Sequence, residues 1–286
     1  MKRMRRQWRP YLLALGLALG VTSNLPGADP TFTTIDFPGA ASTQAFGINP
    51  RGDIVGVYVS AGLNHGFLLS GGQFTTIDFP GAASTQAFGI NPRGDIVGVY
   101  VSAGLTHGFL LSGGSFTTID FPGATSTLPN DINPEGDIVG FYSSAGLDHG
   151  FLLSGGQFTT IDFPGATLTR PRAINPRGDI VGFYISAGMS HAFLLSGGQF
   201  TSFDFPGAPV TRPRGINPRG DIVGFYVSAG LTHGFLLSGG QFTTIDIAGA
   251  TLTDAEKIDP RGDIVGFYVS AGLTHGFLLS RREEGR

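Results

Sequence analysis

A segment beginning Phe-Thr-Thr-Ile-Asp at Phe32 returns, with small changes, at Phe74, Phe116, Phe158, Phe200 and Phe242, every interval being 42 residues. A strict internal period of this length restricts the chain more than any other feature. Each copy must be one supersecondary unit that buries its apolar faces against its neighbours, as in a propeller or a solenoid. The first two copies differ only at Asn64/Thr106 and Gln73/Ser115. No linker or shift of composition separates the copies, so residues 29–283 read as a single domain with a short tail, 284–286.

Within the first unit four runs are rich in β-branched and aromatic residues: 45–48, 53–59, 65–69 and 73–79. Gly, Pro, Asn and Ser punctuate them. Three connections are of hairpin length, and one longer link, "PGAASTQ", leads into the next unit. A propeller blade needs that pattern, because the chain meanders outward from the axis and must then return to begin the next blade. The 53–59 run is apolar on both faces, as a strand sandwiched between blades should be, and the 73–79 run mixes Thr and Asp as a rim strand would. The expected fold is therefore all-β: a six-bladed β-propeller with four antiparallel strands per 42-residue blade.

The phase of the repeat says how such a ring would close. The chain enters at a rim strand, 32–37, and leaves after a third strand, so the last blade lacks a rim strand of its own. The first one can fill that place and leave no edge unpaired. A solenoid would call for distinct capping repeats, and none is visible.

Composition agrees with an all-β reading. Gly supplies 46 of the 286 residues, which suits many tight turns, and charged residues are only 14%. Residues 1–28 read as a signal peptide, with five Lys/Arg near the start, the apolar stretch 11–21, and small residues that would permit cleavage after Ser23 or Ala28. Eleven apolar residues are short for a bilayer span. The expected location is secreted or periplasmic, with no membrane association once the signal is removed. Its removal takes five of 18 basic residues and none of 21 acidic ones, leaving 13 against 21, or −8. A chain of that sign is a poor general binder of nucleic acid. The absence of Cys excludes disulfides, thiolate metal sites and a cysteine nucleophile. A monomer is expected.

Five units carry Arg-Gly-Asp, the first at Arg51-Gly52-Asp53. The frame Asn49-Pro50-Arg51-Gly52-Asp53 accounts for it without an adhesion receptor. Pro presets the second position of a type I turn, Gly takes the left-handed position after it, and Asn caps the turn. Arg51 needs only to be tolerated, since Glu135 stands there in the third unit.

The segment from "NPRGDIVGVY" through "HGFLLSGGQFTTID" resembles the HAF repeat family of bacterial extracellular proteins. The Ile-Asn-x-x-Gly-x-Ile-Val-Gly-x-Tyr half of its signature is present in all six units, with Asp259 for Asn in the last. The His-Ala-Phe-Leu half stands verbatim only at His191-Ala192-Phe193-Leu194; elsewhere Gly replaces Ala. The resemblance covers about residues 32–280. It implies secretion and a propeller-like β fold, and it brings no catalytic residues.

Three sets of residues invite a chemical role. One His falls in each unit, His65 being the first, but six-fold placement on a third strand sets neighbouring copies more than roughly 10 Å apart. Metal ligands must come within about 2 Å of one ion. A structural role against a backbone carbonyl or a nearby Asp is expected instead. Asp36 and Asp53, with their counterparts, suit strand ends and turn caps, and a repeated calcium site using Asp and Asn49-type oxygens is the one cofactor they would permit. No metal or catalytic residue is otherwise assigned.

The third set lies where the copies disagree. Residues 44–47 and their counterparts read QAFG, QAFG, LPND, RPRA, RPRG and DAEK. Read as the link into the innermost strand, they surround one mouth of a central channel. Arg170, Arg172, Arg212 and Arg214 form a basic sector flanked by Asp131, Asp254 and Glu256. Drift of a solvated loop explains such variety blandly. The sharper expectation is a non-enzymatic binding or scaffold module that recognises an anionic glycan or peptide at that mouth. The alternatives are a structural repeat protein without a ligand and a carbohydrate-active lyase or hydrolase.

Overall fold

The computed structural model describes residues 31–280, which form 24 β-strands, β1–β24 in chain order, and no helix. The expected signal peptide, 1–28, and tail, 284–286, lie outside the described residues. The first complete unit is a meander of β2 (Ser42–Ile48), β3 (Ile54–Ser60), β4 (Leu63–Ser70) and β5 (Gln73–Ile77), paired in that order. The pattern repeats around the innermost strands β6 (Ser84–Ile90), β10 (Ser126–Ile132), β14 (Leu168–Ile174), β18 (Val210–Ile216) and β22 (Leu252–Ile258). β2 and these five strands adjoin one another in sequence, and β22 also adjoins β2.

β1 (Thr31–Ile35) pairs antiparallel with β24 (Leu273–Ser280), from Thr31 opposite Ser280 to Ile35 opposite Gly276. It therefore stands as the fourth strand of the last unit. One departure from four separate antiparallel strands per unit is seen. Single parallel bridges, Ser190 to Val210 and Thr232 to Leu252, join the last three units edgewise into one twelve-stranded sheet.

The packing explains the constancy of the repeat. Val55, Phe67 and their counterparts are fully buried in layers between units, as the two-faced apolar pattern of β3 requires. Gly56 follows from close approach: a Cβ there would lie 2.0 Å from the Gln44 carbonyl oxygen and against the Phe67 ring. A rim ladder adds to the contacts. Phe37 stacks on Tyr58 at 3.6 Å between ring centroids, Tyr58 on His65 at 5.2 Å, and His65 Nδ1 bonds Asp78 Oδ2 at 3.0 Å. Each His has the same kind of partner, His275 taking Asp36 across the β1–β24 pair. The histidines bond to a neighbouring Asp, as expected.

The Arg-Gly-Asp turn has the expected geometry and one feature beyond it. Gly52 N–H donates to the Asn49 carbonyl at 2.9 Å with φ at 85°, and Asn49 Oδ1 accepts from the Arg51 and Asp53 amides. Arg51 is not merely tolerated, which corrects the sequence reading. Its Nε donates to Asp53 Oδ2 at 2.9 Å, and its Nη1 donates to the Pro92 carbonyl of the next unit. Arg93, Arg177 and Arg219 repeat that staple. The two charged side chains of the tripeptide thus face each other. Burial works to raise the Asp53 carboxyl, but hydrogen bonds from Ser70, Asn49 and Arg51 outweigh it and hold it below the ordinary carboxylate range. With those partners and the turn amides, the Asn49 and Asp53 oxygens are already engaged.

Candidate functional site

The divergent segment is not a link. Residues 44–47 and their counterparts lie inside the innermost strands, which begin three residues earlier than the 45–48 run suggests. Three of the six segments carry a proline, Pro129, Pro171 and Pro213, one residue before the unpaired position. They are accommodated because every innermost strand carries a β-bulge at this point. Ala45 pairs with Gly56 and Gly47 with Val55, so residue 46 has no partner, and the same shift occurs in all six units. A bulge tolerates Pro and re-aims the side chain of its extra residue.

The re-aimed side chains come from position 46: Phe46, Phe88, Asn130, Arg172, Arg214 and Glu256. Together with Gln44, Lys257 and Phe267 they line a cavity of about 270 Å³. In the cyclic order of the strands Phe46 and Phe88 stand opposite Arg172 and Arg214, with Asn130 and Glu256 between. The cavity is therefore half aromatic and half basic. Phe46 packs edge-on against Phe88 at 5.4 Å and against Phe267 at 6.2 Å.

Of the residues expected at the mouth, Arg172, Arg214 and Glu256 line this cavity. Arg170 and Arg212 do not; they are wedged between units. Arg170 Nε donates to Asp148 Oδ2 at 2.8 Å and the guanidinium lies 4.3 Å from the Phe141 ring. Arg212 donates to Ser190 at 3.3 Å and lies 4.4 Å from the Phe183 ring. A signal for this existed in the repeat. Asp148 and Ser190 occupy one equivalent position, which is Asn or Thr in the other units, and each varies one unit before its arginine.

Asp254 is buried and accepts from Arg214 Nη2 at 3.0 Å, while Glu256 Oε1 lies 3.5 Å from Arg214 Nε. Burial pushes the Glu256 carboxyl up to about 7, with Asp254 adding to the rise and Arg214, Arg172 and Lys257 opposing it. Burial also lowers Arg214, but Asp254 and Glu256 prevail and its pKa is raised. Arg172 differs. Its Nη1 donates to Asn130 Oδ1 at 3.3 Å, its Nε is buried without a hydrogen-bond partner, and no carboxylate pairs with it among the described residues. Burial and the adjacent Arg214 cation press its pKa down to about 9, against the more distant pull of Glu256 and Asp254, so at neutral pH it is a cation with no carboxylate in direct contact.

Asp131 lies elsewhere. Lys257, which sequence reasoning passed over, reaches from β22 to Asp131 Oδ2 on β10, 2.8 Å away, with side chains only 9% and 7% exposed. The Ile174 amide donates to the same oxygen at 3.0 Å. Small residues at the equivalent position, Gly47, Gly89, Ala173 and Gly215, leave the space. A Cβ on Gly89 would meet the Asp131 Cα at 2.9 Å. On the far side of the pair a smaller cavity of about 80 Å³ opens among the Asn-Pro turns, and Lys257 borders both spaces. The pair forms the partition between them.

No family model and no curated protein matches the chain. Solved structures do resemble it. A virginiamycin B lyase from Staphylococcus aureus with quinupristin is 12% identical over 88% of this chain and 99% of that one, with a TM-score of 0.52. A protein described as a gluconolactonase is 15% identical over 91% and 95%, also with a TM-score of 0.52. A nidogen/laminin complex contributes a chain 13% identical over 76% and 84%, with a TM-score of 0.51. At such identities the likeness is one of fold, and the shared fold is the β-propeller.

Proposed function

We propose that the chain is a secreted, six-bladed propeller of the HAF-repeat kind, closed by β1, that captures an anionic ligand in its central cavity without chemical turnover. Supporting the ring are the four-stranded repeat, the pairing of β1 with β24 and the adjacency of β22 to β2. The observation that carries the ligand reading is Arg172, a guanidinium in a cavity without a carboxylate partner among the described residues. A buried cation of that kind is costly until an anion enters, and a guanidinium fork matches carboxylates and phosphates in shape.

A screen of acidic glycans and peptides against the mature chain tests it. Changing Arg172 and Arg214 to Gln should weaken any ligand found by at least tenfold. Arg51→Glu, in the turn beyond the end of β2 and outside the cavity lining, should leave binding intact. Binding that survives the loss of both arginines refutes the reading. A second reading, acid–base catalysis, rests on Glu256, whose carboxyl near 7 is suited to proton transfer. Turnover of a bound ligand that stops in Glu256→Gln would favour it.

A further inference from the structure

The two halves of the cavity differ so sharply that they restrict the ligand further. This inference rests on the anion reading above and names the chemical class. Arg172 and Arg214 line one side of the cavity together, and among the described residues no carboxylate lies within ion-pair distance of Arg172, which leaves its guanidinium as the place for a ligand carboxylate. Opposite it stand Phe46 and Phe88, backed by Phe267. Apart from Gln44, a sugar placed there would turn its hydroxyls toward phenyl rings that cannot satisfy them, and each buried hydroxyl left unbonded is unfavourable. An apolar, flat group placed there loses nothing and gains edge-to-face contact. The volume, about 270 Å³, lies just under the range usual for small-molecule pockets and suits a single ring with a short acidic arm.

We propose that the cavity binds a small aromatic carboxylate, its carboxylate on the guanidinium groups of Arg172 and Arg214 and its ring against Phe46 and Phe88. The charge balance then couples binding to a proton. The groups facing Glu256 are Arg172 on β14, Arg214 on β18, and Asp254 and Lys257 on β22, with Asp131 on β10 already held by Lys257. A second anion on the arginines removes the attraction that keeps Glu256 ionised, and the new negative charge repels it. Glu256 takes up a proton as the ligand enters. Affinity therefore falls as pH rises above about 7, by up to tenfold per unit, because the proton must then be drawn from scarcer supply.

The test is isothermal titration of the mature chain with 3-phenylpropionate, propionate and 3-phenyl-1-propanol at pH 6 and pH 8. The aromatic acid should bind at least tenfold tighter than either partial analogue, and tighter at pH 6. Titration in buffers of different ionisation enthalpy should show proton uptake, abolished in Glu256→Gln. Arg172→Gln should weaken 3-phenylpropionate by at least tenfold. Phe88→Leu, which keeps an apolar side chain of similar bulk, should erase most of the preference over propionate, and melting curves confirm that both variants fold. A pentapeptide ending in Phe, compared with its C-terminal amide, shows whether the carboxylate belongs to a free acid or to a chain end. Propionate binding as tightly as the aromatic acid, with Arg172 still required, overturns this inference and leaves the anion reading standing. Binding of array ligands indifferent to Arg172→Gln overturns both.

Discussion

Removing Lys257 should be among the most damaging single changes in the central channel, and removing its partner as well should undo most of that damage. At 2.8 Å the attraction between Lys257 and Asp131 is about 6 kcal/mol gross at an effective dielectric of ~20. Withdrawing two ions from water costs several kcal/mol each, so the pair is worth little net. Lys257→Met keeps the length of the side chain but leaves Asp131 buried, with the Ile174 amide as its remaining donor. That loss should be about 3–5 kcal/mol. Asp131→Asn retains an oxygen for the Ile174 amide and removes the charge. The double variant should therefore lie within about 1 kcal/mol of the parent, giving a coupling of at least ~3 kcal/mol in the cycle. Urea unfolding of the four proteins measures it. With a slope of about 3 kcal/mol/M, the Lys257→Met midpoint should drop by roughly 1 M or more. If the double variant loses the sum of the two single losses, Asp131 and Lys257 are not compensating each other and the partition does not depend on their charges. A harmless Lys257→Met would mean that water reaches Asp131.

Two further outcomes test the frame around that channel. Deleting residues 31–37 removes the strand paired with β24, the buried Ile35, the Phe37–Tyr58 stack and the Asp36–His275 pair; the shortened chain should melt well below the mature one, and an unchanged melting curve would refute closure by β1. In the turn between the second and third strands of each unit, Ala61 and its five counterparts hold φ near +50°, where an L side chain is strained; each Ala→Gly change should stabilise by about 1 kcal/mol, net of the greater freedom of Gly in the unfolded chain, and the six should add because the turns are far apart.

Much of this architecture was legible because the signals that specify it recur six times. The 42-residue interval gave the unit, Gly-rich punctuation gave the hairpins, and the phase of Phe32 relative to Ser280 gave the pairing that β1 makes. The site was harder to read, for two physical reasons. A β-bulge has no compositional mark when Phe, Asn, Arg and Glu all occupy its unpaired position, so position 46 looked like part of a loop. Contacts across the channel, such as Lys257 with Asp131, join residues three repeats apart and leave no local pattern. Arg170 and Arg172 could not be told apart by type. The strand geometry sends one into a wedge between units and the other into the cavity, and the only trace of this in the repeat is the change at Asp148 and Ser190.

The bulge also bears on whether the divergence there is drift. Drift should appear first where side chains meet only solvent, because substitutions at such places change stability by no more than about 0.5 kcal/mol. The Ser-Ala-Gly turns are exposed at their tips, yet all six are identical, from Ser60-Ala61-Gly62 to Ser270-Ala271-Gly272. Exposed position 41 does vary, among Ala, Thr and Pro, but most of the changes in charge fall on the innermost strand, at positions half-buried or buried, where Asp254, Glu256 and Lys257 bring charge into the core. Placing charges there costs stability, and several of them are arranged as partners: Arg214 with Asp254, Lys257 with Asp131. Arg172 alone among the cavity's charged side chains lacks a carboxylate partner among the described residues. A ring of identical units can hold an asymmetric ligand only by breaking its own symmetry, and the break lies where the bulge directs six side chains into one space. That concentration favours a binding site over random change, and it singles out Arg172 as the first residue to alter.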